Sequence, residues 1–203
     1  MLARMPHVPA AERRPQLIEA AIALMSREGV AAGSTRAVAA ELGVAQATVH
    51  YTFGSKQELY RAVMEELTRS LVTLVEAAVP DDTGFEETVH ALVGALWDTV
   101  TAYRDRYLLV YELITHALRD PRLRETAADY ATSLDEPASR LISDAAARAG
   151  LTLAHPPATL ARLFLAGFDG LVLRYLADGD ESVAVETLRR LQQTTIALAK
   201  GSA

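Results

Sequence analysis

The sequence predicts an all-α fold of about nine helices, with a small N-terminal helical unit followed by a larger helical domain. Three observations lead there. Apolar residues recur at helical spacing through nearly every segment. No stretch alternates apolar and polar residues over the length of a strand, and no Asn-Gly hairpin turn occurs. Glycine and proline are sparse, 11 and 8 in 203 residues, and punctuate the periodic runs at sites such as Gly29, Pro121 and Gly150.

Taken in order, Pro15 suits the first turn of a helix whose apolar face holds Leu17, Ile18, Ala21, Leu24 and Met25 and which stops at Gly29. Two short helices follow, over about 35–42 and 46–52, separated by "LGV". A longer one starts at Ser55, where Ser55 and Glu58 read as a Ser-x-x-Glu capping box, and runs to about Val79 before the break "PDDTG". Phe85, Val89, Leu92, Val93, Leu96, Val100 and Tyr103 mark the next helix. Tyr107, Leu108, Tyr111, Ile114 and Leu118 mark another, stopped by Asp120-Pro121. A long helical stretch reaches Gly150, with Pro137 as a kink or boundary inside it. After the loop "GLTLAHPP", the run "ATLARLFLAGFDGLVLRYLA" is apolar almost all the way round, as in a helix buried on two sides. Its Arg162, Asp169 and Arg174 argue against a membrane span. "DGDES" reads as the capping turn of a last helix through Val183, Leu188, Leu191, Ile196 and Leu198.

Composition narrows the function classes. There is no cysteine, which excludes thiolate metal sites, iron–sulfur clusters and a cysteine nucleophile. The start "MLARMPHVPAAERRP" lacks the apolar core of a signal peptide, so a soluble cytoplasmic protein with no membrane partner is expected. The net charge of −6 argues at first against a polyanionic partner. Its distribution reverses the argument: residues 1–60 hold six basic groups against five acidic, and the remainder fourteen against twenty-one.

The five histidines, His7, His50, His90, His116 and His155, have no metal-ligand spacing, so no metal site is expected. A phosphate-binding glycine loop and a nucleophile elbow are also missing, and neither catalysis nor a cofactor is expected.

A helix-turn-helix needs a small residue where two helices cross, a Gly in the turn, and an apolar residue on the second helix facing the first. Ala39, Gly43 and Val49 supply these, and Val38, Leu42 and Val44 complete a small core. If Val49 points inward, Gln46, Ala47 and Thr48 face outward near the second helix's start, flanked by His50 and Tyr51. Gln can pair with adenine N6 and N7, Ala and Thr methyls can touch the thymine methyl, and His or Tyr can donate to phosphate.

These residues resemble the tetracycline-repressor (TetR) family of transcription regulators. The resemblance rests on "STRAVAAELGVAQATVHYTFGSKQEL", preceded by a first helix ending "SREGV", and covers the first quarter to third of the chain. One departure is His50, at a position where the family usually has Tyr. The resemblance implies that Thr35 and Arg36 contact backbone and a base edge, that Gln46, Ala47, Thr48 and Tyr51 meet the major groove, and that Lys56 meets phosphate. His50 or Tyr51 would supply the remaining phosphate donor. It further implies a helix-turn-helix DNA-binding domain over 1–54, a ligand-binding and dimerisation domain over 55–203, and a homodimer built on a four-helix bundle. The function expected is a repressor that binds a palindromic double-stranded DNA operator and is released by a small-molecule effector.

Two further residue sets follow. Trp97, Tyr107, Tyr111, His116, Phe164 and Phe168 are candidates for an effector pocket, since helical bundles bind ligands between apolar helices, and are equally readable as core. Leu160, Gly167, Leu171, Leu188 and Leu191 are candidates for a dimer interface, because one face of the two-sided helix is left for a partner. Gly167 either lets two backbones approach across that interface or accommodates a bulky neighbour within one subunit. A constitutive DNA binder and a helical enzyme or scaffold with a merely structural helix-turn-helix are the alternatives.

Overall fold

The computed structural model describes residues 10–80 and 83–202. Arg4, His7 and the Asp81-Asp82 pair of the expected break lie outside them. The helices are α1 (Ala10–Glu28), α2 (Thr35–Glu41), α3 (Gln46–Phe53), α4 (Lys56–Glu76), α5 (Phe85–Ala102), α6 (Arg104–Arg119), α7 (Arg124–Ser133), α8 (Asp135–Arg148), α9 (Pro157–Asp178) and α10 (Glu181–Lys200). Single turns of 3-10 helix sit at Val30–Ala32 and Pro121–Leu123, and no strand occurs among the described residues. α7 and α8 abut at Leu134, so counting them as one interrupted helix gives the expected nine among the described residues.

Two boundaries differ from expectation, both at prolines. α1 starts at Ala10, which puts Pro15 beyond the first turn. The amide hydrogen that Pro15 lacks would have served the carbonyl of residue 11, close to the helix start, and the helix continues through it. The break expected at Pro137 falls at Leu134. Pro137 has no N–H for the carbonyl of Ser133, so the interruption sits one turn earlier and Pro137 lies in the first turn of α8.

The capping box is only half formed. Ser55 Oγ accepts the Glu58 N–H at 3.1 Å, but the Ser55 N–H donates to the Phe53 carbonyl at 2.8 Å, leaving the Glu58 carboxylate 3.9 Å from Arg61. The capping turn expected at "DGDES" forms: Asp180 Oδ1 accepts the Val183 N–H at 3.0 Å.

The chain forms two compact units, one of Met1–Leu67 with Asp105–Ala127 and one of Thr68–Arg104 with Ala128–Ala203. The division therefore falls inside α4, and the first unit takes in α6, a partner far away in sequence. In the first unit Leu17, Ala21, Ile22 and Met25 of α1, Val38 and Ala39 of α2, Val49 of α3, Leu59 and Val63 of α4, and Leu109 and Leu113 of α6 are buried. Each large aliphatic among them stabilises the fold by about 1.5–3 kcal/mol relative to an exposed position.

In the second unit α9 packs between α8 and α10, and α5 contacts α8 and α10. One of its cores joins Phe85, Ala145, Ala146, Leu160, Ile196 and Ala199. The Arg104 guanidinium donates to the Leu176 carbonyl at 2.6 Å, satisfying one of the acceptors that the end of α9 leaves open. No helix among the described residues is long and apolar enough to cross a membrane.

Candidate nucleic-acid interface

The geometry begins at the turn between α2 and α3. Ser34 starts α2 by accepting the Ala37 N–H on its Oγ at 3.1 Å. At the other end the Gly43 N–H bonds the Ala40 carbonyl at 3.1 Å and the Val44 N–H bonds the Ala39 carbonyl at 2.9 Å. This pair of bonds is the Schellman arrangement, which places its penultimate residue in left-handed backbone; Gly43 has φ +68°. A Cβ on Gly43 would meet nothing within 4 Å, so backbone conformation, and not crowding, selects glycine there.

The turn brings Val49 (0 % exposed) inward with Val38 and Ala39, fixing the rotation of α3. The opposite side of α3 is consequently open. Gln46, Ala47 and His50 are exposed, and Thr48 is half-buried, its carbonyl accepting the Thr52 hydroxyl at 2.8 Å. Tyr51 is 89 % exposed, the largest exposure among the big hydrophobic side chains. A ring left so far in water contributes nothing to the core and is available to a partner.

Three of the expected contact residues come together as a cluster. His50 Nε2 lies 3.3 Å from Thr35 Oγ1 and 3.3 Å from Gln46 Nε2, and Gln46 Nε2 lies 3.5 Å from Thr35 Oγ1. Arg36 is exposed beside Thr35 at the start of α2. Lys56 is half-buried at the start of α4, its Nζ 5.0 Å from the centre of the Tyr60 ring. Tyr60 is buried and donates its hydroxyl to the Val30 carbonyl at 2.8 Å.

Sequence reasoning passed over two supporting contacts. Arg14 of α1 stands 5.2 Å over the Phe53 ring at the end of α3. Arg27 of α1 makes a two-pronged contact with Glu41 at the end of α2, at 3.2 and 3.0 Å, and the guanidinium holds the Glu41 carboxyl below the usual carboxylate range. Both pairs are far apart in sequence and involve ordinary surface charges, so no local pattern marks them.

The other expected residues divide between the units. Tyr107 and Tyr111 are half-buried on α6 in the first unit, where the exposed His116 sets its ring edge-on to Tyr60 at 5.5 Å. In the second unit Trp97 is buried with its ring 5.1 Å from Tyr175, and Phe164 stacks on Phe168 at 6.0 Å. Leu160, Leu171 and Leu188 are buried in their own chain. Gly167 faces Leu191 so closely that an added Cβ would come within 2.7 Å of the leucine Cδ1, a close approach of α9 and α10 within one chain. The large apolar side chains left exposed on α9 and α10 are Leu163, Leu173, Val183 and Val185.

Comparison with known proteins extends the helix-turn-helix reading. Residues 17–63 match the family described as "Bacterial regulatory proteins, tetR family", and residues 83–194 match "Tetracyclin repressor-like, C-terminal domain". The HTH-type nicotine-responsive transcriptional repressor HdnoR of Paenarthrobacter nicotinovorans is 30% identical over 167 residues, which span 82% of this chain and 85% of that protein. Among solved structures, the multidrug binding protein EbrR complexed with ethidium is 32% identical, with a TM-score of 0.66 over 88% of this chain and 98% of that one. A member of the TetR family (SCO1917) from Streptomyces coelicolor A3 is 34% identical, with a TM-score of 0.67 over 89% and 98%.

Proposed function

The chain belongs to the tetracycline-repressor family of bacterial transcription regulators, and from this premise we propose that it is a cytoplasmic, ligand-responsive repressor that binds a palindromic operator as a homodimer. The observation that carries the DNA-binding part is the turn at Gly43, which buries Val49 and leaves Gln46, Ala47, His50 and Tyr51 exposed along α3. Residues 1–54 form the DNA-reading domain in this proposal. Two copies would place their α3 helices in successive major grooves about 34 Å apart. α9 and α10 of each copy would meet in a four-helix bundle, supported by the exposed Leu163, Leu173, Val183 and Val185.

The effector, on the same proposal, is an aromatic nitrogen base or cation. Nicotine is named for HdnoR, and EbrR has been solved with ethidium and with proflavin. Support within this chain comes from the aromatic pairs Trp97–Tyr175 and Phe164–Phe168. The second unit also holds nine basic groups against fifteen acidic, a balance that favours a cation over an anion. Binding acts by favouring the conformer that does not fit the operator, and only to the extent that the ligand prefers that conformer.

Fluorescence anisotropy with the intergenic DNA flanking its own gene, across a salt series, tests the reading. Sequence-selective binding that weakens steeply with salt is expected. For the effector, a rise in the melting temperature of the DNA-free protein with proflavin, ethidium or nicotine is expected, together with release of the DNA by nicotine, which does not intercalate. Binding without sequence preference would overturn the operator reading, and a melting temperature unmoved by all three compounds would overturn the effector class.

A further inference from the structure

The polar triangle of Gln46, His50 and Thr35 has a consequence for which base is read, because of what an amide nitrogen can do. Gln46 Nε2 carries two hydrogens and offers no lone pair, so each polar atom it faces must accept from it. The atoms it faces are His50 Nε2 at 3.3 Å and Thr35 Oγ1 at 3.5 Å. In the tautomer that carries its hydrogen on Nδ1, the His50 ring presents a bare Nε2 to the amide, and both amide hydrogens then meet acceptors within the protein. Only the carbonyl oxygen Oε1 is left to reach outward.

A bidentate contact to adenine needs both ends of the glutamine amide: the oxygen accepts from N6 and the nitrogen donates to N7. With Nε2 held by His50 and Thr35, the second half of that contact is lost. We propose that Gln46 reads its base pair through Oε1 alone, with His50 and Thr35 as the residues that position its amide, and so selects a base displaying an exocyclic amino group in the major groove. Adenine offers N6 and cytosine offers N4; guanine and thymine offer acceptors at the same edge and would face Oε1 acceptor to acceptor.

This assignment rests on the proposal that α3 enters the major groove. It revises the two-ended adenine contact expected of Gln46 from sequence, and gives His50 the work of orienting Gln46, where the sequence suggested a phosphate donor. The clamp also ties a base reader on α3 to the first residue of α2, so the side chain is ordered before DNA arrives and the entropy cost of ordering it does not fall on the complex.

The test uses the full chain. A half-site is selected from a randomised duplex pool, and all four bases are then compared at each position by anisotropy competition for the wild type, Gln46→Ala, His50→Phe and Thr35→Val. The position at which Gln46→Ala flattens the preference is the one Gln46 reads. There the wild type is expected to bind adenine and cytosine within about threefold of each other, and guanine and thymine at least about tenfold more weakly. His50→Phe keeps a ring but removes the acceptor, so it frees one amide hydrogen and should raise adenine over cytosine by about tenfold; Thr35→Val should shift it in the same direction. His50 is exposed, so His50→Phe is expected to melt within a few degrees of the wild type. The proposal is overturned if the wild type already prefers adenine over cytosine by tenfold, if neither variant changes that ratio, or if Gln46→Ala flattens no position of a selected site. A pool that yields no enriched sequence overturns instead the reading that α3 is a DNA reader.

Discussion

Glu112 caps Val30 from α6: its Oε2 accepts the Val30 N–H at 2.9 Å, a contact between residues 82 positions apart in sequence. Tyr60 of α4 takes the other polar group of the same residue, donating its hydroxyl to the Val30 carbonyl at 2.8 Å. The connection between α1 and α2 is thus held by two helices through one peptide-linked residue. Removing the Glu112 carboxylate strands the Val30 N–H, whereas the Val30 carbonyl also accepts the Gly33 N–H. Tyr60→Phe removes one of two hydrogen bonds at the Val30 carbonyl, which keeps the Gly33 N–H at 3.0 Å, and should cost about 0.5–1.5 kcal/mol in urea unfolding. Glu112→Ala should cost about 1–3 kcal/mol and Glu112→Gln less, since the amide oxygen still accepts. Equal losses for the two Glu112 variants would mean that the carboxylate acts by charge alone.

That contact also marks where sequence reading ends. The all-helical fold, the turn at Gly43 and the inward face at Val49 were legible because they depend on local conformation and on helical spacing. The start of α1 and the break at Leu134 were misplaced because a proline states which hydrogen bond is missing without stating how far the helix tolerates its loss. The inclusion of α6 in the first unit, Glu112 on Val30 and Arg14 over Phe53 pair residues with no spacing relation, and nothing local announces them. At the candidate interface, the identities of Gln46, His50 and Thr35 were legible, whereas their mutual engagement is a property of the α2–α3 crossing angle.

Gly167 and Leu191 form a tight packing pair between α9 and α10. An alanine Cβ at 167 would stand 2.7 Å from Leu191 Cδ1 and 3.0 Å from Cδ2, so the leucine must leave its rotamer or the helices must separate. Because the atoms met are the terminal methyls of a half-buried leucine, Gly167→Ala should lose no more than about 1 kcal/mol net of its gain in helix propensity. Leu191→Ala should lose more by itself, yet in the double variant the added methyl occupies space that the leucine vacated. A double-mutant cycle should therefore show the two losses to be less than additive by about 1 kcal/mol or more. Strict additivity would place the contact elsewhere.

Asp120 supplies a pH-dependent contribution that can be followed. Its carboxyl is lowered from 3.8 to about 2, first by its side-chain hydrogen bonds with the Arg122 guanidinium, then by the Arg122 backbone N–H. Because the folded value lies below the unfolded one, the stabilisation is fully present above about pH 4 and disappears as pH falls through about 2. The Arg122 guanidinium is solvent-exposed and Asp120 only half-buried, so screening keeps the effect on melting small. Asp120→Asn should melt slightly below the wild type at pH 7, and the two curves should approach each other as the pH falls from about 4 and converge below about pH 2. A gap that persists in acid would assign the difference to packing at the 3-10 turn instead of to ionisation.

Lys56 joins the DNA proposal to a structural contact. Its position in the first turn of α4 sets an ammonium beside the positive end of the helix, an unfavourable placement for stability by itself. The Tyr60 ring face, 5.0 Å from Nζ, offsets part of that cost, and the same concentration of positive potential suits a phosphate. If the lysine serves DNA, Lys56→Ala should weaken binding to all sequences equally and flatten the plot of log K against log salt by about 0.9 per lysine, hence about 1.8 for a dimer. Its melting temperature should change little, because a single cation–π contact of a half-buried lysine is worth only about 1 kcal/mol. Lys56→Arg should restore the slope, since a guanidinium also neutralises a phosphate. If Lys56→Ala lowers the melting temperature markedly and leaves the slope untouched, the lysine belongs to the Tyr60 packing and the phosphate role falls.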